Sequence, residues 1–406
     1  FTGYVEDIIP NPNPNEQTCY VRAVDGSAQV LGTKKVRTDL FQDFTAVILS
    51  GDILNRLRWP IPDRALDAGQ TTVPYWWEHD ENALEAVHKL EEAEMGLAYI
   101  RGDGWFIFED RHHRLKGEHL TPQTTITATM VEMRYESRLR EVKNEVNIKI
   151  HPMIQGSAGT ELWRLRDVPY LAPMTRSFVI TGRLAPVTAT AIFYTDYDDP
   201  AVAFIDPPAA TTDYTFNTAS DGTGTDITSQ LTVAIAEDYA RGPVLSVTNA
   251  GPESGYLTLL KLRGTPLTVP DTTLVSQGDS ASQIERGVRS LDIDNLWLQE
   301  TNPAQDYADF LVTLLKDGKA YLVIKLANTS QAMAEAILAR DLSDRVKIVE
   351  GNTGVNGDYF IEQIEVKAEG GLVECEWLLS KADPLFYWLL GEVGYSELGD
   401  TTRLGY

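Results

Sequence analysis

The sequence has few cysteines and no long apolar run. Cys19 and Cys375 are the only cysteines among 406 residues, which excludes a disulfide scaffold and a zinc site built from cysteine ligands. We expect both thiols to be reduced and packed. No stretch of about 18 consecutive apolar residues occurs, so the sequence predicts no membrane-spanning helix and a soluble chain.

Basic residues are also scarce. Lys and Arg number 35 against 59 Asp and Glu, which gives a formal net charge of −24. Proteins that grip DNA gain affinity by neutralising phosphates with Lys and Arg, so specific DNA binding is disfavoured. Two interpretations of the acidic excess stay open: a well-solvated surface, or a passage that DNA crosses without adhering.

Catalytic motifs are absent as well. The sequence contains no Gly-x-Ser-x-Gly, no phosphate-cradling glycine loop and no His-Glu-x-x-His. Glu85, Glu91, Glu92 and Glu94 could be imagined as glycosidase carboxylates, but that chemistry needs an acid and a base facing each other across a cleft. Their spacing instead predicts the solvated face of an amphipathic helix. We expect a protein without enzymatic activity.

The densest group of potential metal ligands is Glu109, Asp110, His112 and His113. Adjacent histidines on a strand point to opposite faces, so both cannot easily bind one ion. The group is therefore interpreted as structural.

A second acidic group is the trio Asp196, Asp198 and Asp199, whose carboxylates could offer oxygen ligands to calcium. The spacing lacks the glycine and the distal glutamate of an EF-hand loop, and acidic loops near turns are common. These residues are candidates only, and the sequence predicts no bound metal and no cofactor.

The chain is long enough for two to four domains, and its composition changes along its length. Between positions 183 and 228 there are seven Asp and one Arg but no Lys or Glu. Short strand-like pieces recur across 160–265, which predicts an inserted, immunoglobulin-like β-sandwich. The flanking parts are 1–159 and 266–390, followed by a tail or linker, 391–406.

The first part contains a predicted helix at 81–95, a hairpin at 97–110 and a strand at 124–135. In that strand the apolar phase slips by one residue after Met130, which favours a β-bulge. In the part after the insert, Asn302 and Pro303 have the pattern of a helix cap and first turn, and Gly318 ends that helix.

Several segments together resemble the hub proteins at the distal end of long-tailed phage tails, a group that includes baseplate hubs and tail tip proteins. The resemblance is one of pattern. It is carried by LAYIRGDGWFIFEDRHHR at 97–114, by 135–150, by GYLTLLKLRG at 255–264, by NGDYFI at 356–361, and by WLLG at 388–391 with SELG at 396–399.

The resemblance implies a mainly β, α+β fold with two tail-tube-like β-barrel domains and short helices, from which the inserted sandwich departs. Three copies would present six barrel-like units, matching a sixfold tube to a threefold tip. It implies a structural virion protein at the tail tip that forms part of the passage for DNA ejection. The implied partners are two further copies in a homotrimer, a tail tube or distal tail protein, a tape measure protein, and a tail fibre or tip protein, while DNA passes without specific binding.

Aromatic residues near the end of the chain are the candidate interface residues: Tyr387, Trp388 and Tyr395. Buried aromatics contribute large apolar areas to contacts between subunits. Two rival functions stay open. One is a carbohydrate-binding tail tip or receptor-binding protein, in which 160–265 recognises a host glycan; the other is a tail-associated hydrolase of cell-wall polymer.

Overall fold

The computed structural model describes residues 2–11, 18–127, 130–137, 141–172, 178–181, 202–268, 270–318, 320–382, 387–388 and 403–404. It is mainly β, with 44% strand and 22% helix, which confirms the predicted α+β class. The α-helices within these ranges are α1 (Ala46–Arg56), α2 (Ala83–Glu94), α3 (Ser280–Arg286), α4 (Thr301–Leu315) and α5 (Gln331–Leu338). Shorter helical turns lie at Ser27–Leu31, Ile61–Asp63, His113–Leu115, Gly117–Leu120 and Thr228–Gln230. No helix in this part of the chain is long and apolar enough to cross a membrane.

The strands follow one another in the order β1 (Tyr4–Pro10), β2 (Cys19–Val24), β3 (Lys35–Arg37), β4 (Phe41–Thr45), β5 (Arg64–Leu66), β6 (Thr72–Trp76), β7 (His79–Asn82), β8 (Leu97–Ile100), β9 (Phe106–Glu109), β10 (Thr124–Ile126), β11 (Glu132–Ser137), β12 (Glu145–Ile150), β13 (Ile154–Gln155), β14 (Thr160–Arg164), β15 (Tyr170–Leu171), β16 (Phe178–Thr181), β17 (Val202–Ile205), β18 (Tyr214–Asn217), β19 (Leu231–Glu237), β20 (Val244–Asn249), β21 (Gly255–Thr268), β22 (Thr273–Gly278), β23 (Ser290–Asp294), β24 (Ala320–Ala327), β25 (Arg345–Glu350), β26 (Val355–Glu369), β27 (Leu372–Lys381), β28 (Tyr387–Trp388) and β29 (Arg403–Leu404).

The first core is built from both sides of the predicted insert. Helices α1 and α2 pack against each other, and α4 packs across the three-stranded sheet β22-β12-β23. At its centre Trp77 meets Trp297 edge to face at 5.5 Å, and Trp76 lies 6.2 Å from the same ring. Because all three tryptophans are buried, the Trp76-Trp77 pair belongs to the core. The domain boundaries inferred from the sequence stay a prediction.

Local sequence determines where the helices that pack around this core begin and end. Asn82 caps α2, because its side chain accepts hydrogen bonds from the backbone N–H groups of Leu84 and Glu85. The helix ends at Met95, which adopts the left-handed conformation. Helix α4 begins at Thr301, so Asn302 lies inside the helix and the predicted cap is wrong.

The second core lies between two sheets whose strands fall within 154–268. The long strand β21 pairs in turn with β13, β14, β15, β17 and β18, and the sheet β16-β20-β19 lies on the other side of the core. Phe216 and Leu260 from the first sheet share this core with Val247 from the second. Gly264 is needed where strands approach closely, because a Cβ there would lie 2.1 Å from the carbonyl oxygen of Phe204. These two sheets enclose one core, and the immunoglobulin-like insert at 160–265 stays a prediction.

The third core is covered by a six-stranded sheet with the order β10-β25-β26-β27-β24-β11. Ile324 pairs with Trp377, and Leu326 pairs with Cys375, so alternate side chains of β24 and β27 line the core together. Helix α5 adds Met333 from one side. Cys375 is a buried free thiol as expected, whereas Cys19 is exposed.

The predicted barrels do not close in the described part of the chain. Residues 127–131 join the two edge strands of the six-stranded sheet and span at most about 21 Å from Ile126 to Glu132, whereas a flat sheet would separate its edges by about 24 Å. The sheet therefore curls, but β10 pairs with β25 and β11 pairs with β24, with no ladder between the edges.

The single strand predicted at 124–135 is consequently wrong. Val131 already donates its N–H to the carbonyl of Lys325 at 2.8 Å, on the edge opposite to Ile126. The slip in apolar phase after Met130 marks a crossing from one edge of the sheet to the other. A β-bulge and a crossing between sheet edges both shift the alternation of apolar residues. The sequence alone therefore does not distinguish a bulge from a crossing.

The third core provides the first testable prediction. Trp377 is fully buried, so Trp377→Ala is expected to lower the free energy of unfolding by about 3–5 kcal/mol. Leu338→Ala, at a side chain that is 75% exposed, should change it by less than about 0.5 kcal/mol. Urea denaturation followed by circular dichroism measures both values. Equal effects would contradict the assigned packing.

Candidate functional site

The histidine-rich segment after β9 forms a polar junction between the first core and the six-stranded sheet. Asp110 donates its backbone N–H to Asp67 Oδ2 at 3.0 Å, and its own carboxylate accepts the N–H of His112 at 3.0 Å. These bonds turn the chain out of β9 into the helical turn His113–Leu115. The segment then lies against residues that are more than 220 positions away in the sequence.

His113 lies between two carboxylates. Its Nδ1 is 2.8 Å from Asp67 Oδ2, and its Nε2 is 3.5 Å from Glu109 Oε1. Its ring also packs against that of His119, with the centroids 4.6 Å apart. No group of three or more His, Cys, Asp or Glu in the described ranges could hold a metal ion.

The local environment shifts the titration of these groups. Burial by itself would lower the pKa of His113, but the hydrogen bond to Asp67 and the charges of Glu109 and Asp67 outweigh it and raise that pKa. Burial would raise the pKa of Asp67, yet the hydrogen bond to His113 and the backbone N–H of Asp110 lower it. Burial dominates at Glu109 and raises its pKa despite the nearby His113. The geometry therefore favours an ion pair between His113 and Asp67.

Arg114 connects this segment to β26. Its Nη1 and Nη2 donate to the two carboxylate oxygens of Glu362 at 2.7 and 2.9 Å, and its Nε donates to Ser343 Oγ at 3.1 Å. The guanidinium also stacks over the ring of Phe360, 5.1 Å from its centroid. A planar guanidinium held in this bidentate way fixes orientation as well as distance.

The junction contains a serine, a histidine and carboxylates, but not in a nucleophilic arrangement. The Ser343 hydroxyl donates to Glu109 Oε2 at 2.5 Å, and its side chain is fully buried. Both ring nitrogens of His113 face carboxylates. Nucleophilic serine catalysis needs a base within hydrogen-bonding reach of an accessible hydroxyl, so this group holds two parts of the fold together.

The four glutamates of α2 have different surroundings. Glu85 and Glu92 are exposed, as a solvated face predicts. The solvated position expected for Glu94 is wrong: its side chain is fully buried and accepts the backbone N–H groups of Gln70 and Thr71 at 2.9 and 2.7 Å. Burial raises its pKa even though both hydrogen bonds act to lower it. Glu94 therefore organises the loop before β6.

The remaining predicted site residues fall mostly outside the described ranges. Asp196, Asp198, Asp199 and Tyr395 are not among the described residues. Tyr387 and Trp388 form β28, which pairs in parallel with β29. Their assignment as interface residues stays a prediction.

A more extended candidate surface is the hairpin formed by β1 and β2, named here the arm (4–10 and 19–24). Its two strands pair only with each other among the described residues. Almost every side chain of the arm is exposed. The large apolar ones, with their exposed fractions, are Tyr4 48%, Val5 59%, Ile8 64%, Ile9 56%, Tyr20 65% and Val21 51%.

The free edge of β11 is a second such surface. Within the described ranges β11 has β24 as its only neighbour, so its other backbone edge carries no ladder. Tyr135 on this strand and Val131 just before it are 63% and 55% exposed. Sequence periodicity alone does not reveal either surface, because an apolar strand pattern normally indicates burial.

No family model and no curated protein matches the sequence. Solved structures similar to the chain include the 43 kDa tail protein of prophage MuSo2 from Shewanella oneidensis, with 11% identity, a TM-score of 0.46, and coverage of 94% of this chain and 79% of that one. A tail protein from Neisseria meningitidis MC58 has 8% identity, a TM-score of 0.49 and the same two coverages. Prophage tail protein gp18 from Listeria monocytogenes EGD-e has 9% identity, a TM-score of 0.39, and coverage of 94% and 77%.

All three neighbours are tail proteins, and two of them come from prophages. Identities of 8–11% and TM-scores below 0.5 are too low to transfer an activity or the role of any residue to this chain.

The junction provides the second prediction. Asp67→Asn removes the negative charge beside His113, so the pKa of His113 should fall. A titration of labelled histidine side chains by NMR measures it, and Asp103→Asn, in the exposed turn between β8 and β9, is the matched control. An unchanged His113 titration in Asp67→Asn would contradict the assigned pair.

The same pair predicts a pH dependence of stability. A histidine whose folded pKa is raised stabilises the fold fully below its unfolded value, about 6.5, and this contribution is lost as the pH rises through the folded pKa. The difference in the free energy of unfolding between the native sequence and Asp67→Asn should therefore be largest near pH 6 and narrow at higher pH.

Proposed function

We propose that the chain is a structural protein of a phage tail: a hub that joins the tail tube to the tail tip or baseplate in the virion, as a homotrimer. The observation that carries the proposal is the pair of surfaces that one copy leaves unmatched, the arm and the free edge of β11. The segments that resemble tail hub proteins support the same assignment.

The stability and the exposed apolar surface of the arm both favour contact with a partner. An isolated two-stranded hairpin is marginally stable in water, and three or more strands or a packed face are needed to stabilise it. Ile8 and Ile9 are adjacent along β1, so the arm exposes apolar side chains on both of its faces. Contact with a neighbouring copy would cover them.

The free edge of β11 supports growth of the sheet between copies. Unpaired N–H and C=O groups along an edge strand are a template for another strand. The curled six-stranded sheet already has this open edge, so a strand from a neighbouring copy would continue it around a ring. In a trimer each copy would both donate and accept such contacts, which closes the assembly.

The net charge of the chain is better suited to a channel that DNA passes through than to a DNA-binding surface. A net charge of −24 repels the phosphate backbone, so a ring of such chains would let DNA pass without specific binding. We propose that part of the acidic excess lines this lumen. The further proposed partners are a tail tube or distal tail protein on one side, a tail fibre or tip protein on the other, and a tape measure protein.

We propose no catalytic role. The junction around Ser343 lacks an accessible nucleophile with a base, and the carboxylates of α2 serve structural contacts or face solvent. The rival prediction of glycan binding by the 160–265 sandwich stays a prediction.

Assembly provides the third prediction. Ile8→Asp places a charge in the exposed apolar face of the arm and is expected to weaken self-association roughly tenfold or more. Ile284→Asp makes the same change at a side chain that is 87% exposed on α3 and should leave association unchanged. Sedimentation velocity and light scattering measure the mass, and circular dichroism verifies the fold of each variant.

A trimer that dissociates in Ile8→Asp and persists in Ile284→Asp would support the proposal. A native chain that stays monomeric at every concentration and in assembled particles, or that forms a ring of five, would overturn the trimeric hub. A neutral or basic lumen in the assembled ring would overturn the acidic passage separately.

A further inference from the structure

A groove of about 710 Å³ runs along the surface between α2 and α4. Its floor is apolar and comes mainly from α4: Phe310, Leu311 and Leu314 are each only half-buried, and Met95 adds to it from the end of α2. Neither the junction nor the arm includes these residues.

The apolar floor arises because only part of the apolar stripe of α4 is covered by the first core. Ala304, Ala308 and Val312 are buried against the first core. Leu311 and Leu314 lie beside this row at helical spacing, so they face the channel toward α2. An amphipathic helix normally buries its whole apolar stripe, and here the outer part of it remains open.

The rim of the groove is acidic and incompletely neutralised. Glu85 is exposed and has no ion-pair partner among the described residues. Glu92 accepts a hydrogen bond from the neutral side chain of Asn295 at 2.8 Å. The one lysine on the rim is Lys89. Its Nζ lies 3.3 Å from Glu81 Oε2, so it already forms an ion pair with that carboxylate.

We propose that this groove docks a helical segment of a partner protein whose apolar side chains are flanked by Lys or Arg. Two neighbouring helices with an apolar furrow between them fit a third helix by ridges-into-grooves packing, with apolar anchors at helical spacing. Lys and Arg suit the rim because their aliphatic stems lie on apolar surface while their charged ends reach the carboxylates of Glu85 and Glu92.

The charge pattern also decides against other occupants. Phosphate groups of nucleic acids and anionic lipids would be repelled by the carboxylates of Glu85 and Glu92 on the rim. A second copy of this chain brings a net charge of −24, so it is a poor match for an acidic rim. The groove is thus distinct in partner chemistry from the self-association that the arm serves.

Fluorescence anisotropy of a labelled synthetic peptide tests the proposal on the full-length chain. The probe is a short amphipathic helix of leucine and lysine, and its counterpart carries glutamate in place of lysine. The lysine peptide should bind and the glutamate peptide should not. Glu85→Lys is expected to weaken binding of the lysine peptide roughly tenfold, equivalent to about 1.4 kcal/mol.

Matched variants separate the groove from general attraction to an acidic protein. Glu369→Lys makes the same charge change at a side chain that is 83% exposed in β26, outside the groove, and should leave binding unchanged. Leu314→Gln on the groove floor should weaken binding, whereas Leu338→Gln on the exposed side of α5 should not.

Three results would overturn the inference. The first is no binding of the lysine peptide by the native chain. The second is equal weakening by Glu85→Lys and Glu369→Lys, which would indicate attraction to the acidic surface as a whole. The third is unchanged binding in Leu314→Gln with its fold intact by circular dichroism. None of these results bears on the trimer, which is measured without the peptide.

Discussion

Backbone hydrogen bonding at strand edges is the constraint on which this structure depends. Inside the six-stranded sheet, β25, β26, β27 and β24 each have neighbours on both sides, and their alternate side chains close the third core. At the two ends of the sheet this pairing stops, as far as the described residues show. Since unpaired edges are templates for further strands, the free edge of β11 and the isolated arm are features that the proposed assembly would complete.

The polar junction has a different role: it fixes how the first core meets that sheet. Arg114 reaches Glu362 with two parallel hydrogen bonds, and Glu109 accepts the hydroxyl of Ser343. Buried charges are costly unless they are paired and hydrogen-bonded, so such a group adds little net stability. Its geometry allows only one arrangement of the partners, and we infer that it holds the curled sheet in a fixed orientation relative to the first core.

Much of the local structure follows from sequence periodicity. The predicted helix at 81–95 forms as α2, and the clean alternation at 145–151 and 372–379 forms β12 and β27, because each of these elements has its apolar residues at one consistent spacing. The placement of His112 and His113 on a strand is wrong, because β9 ends at Glu109 and His113 begins a helical turn. In the structure His113 faces Asp67 and Glu109.

The features that the sequence did not predict depend on contacts between residues far apart in the chain. The segment at 124–135 divides between two edges of a sheet whose other strands lie some 190 residues or more further along the chain, so no local pattern distinguishes that crossing from a bulge. Glu94 is buried because the loop at Gln70 and Thr71 presents two N–H groups to it, and the partners of Arg114 lie beyond residue 340. The arm is exposed because no other described strand pairs with it. A strand-like sequence does not indicate whether such a neighbouring strand exists.

Hydrogen–deuterium exchange of the full-length chain, measured at dilute and at concentrated conditions, tests most directly whether neighbouring copies complete these edges. The account predicts that backbone amides of β1, β2 and β11 exchange rapidly in the dilute monomer and become protected when the chain assembles. Amides in β24 and β27 should be protected in both. Assembly without new protection in the arm and in β11 would contradict the account.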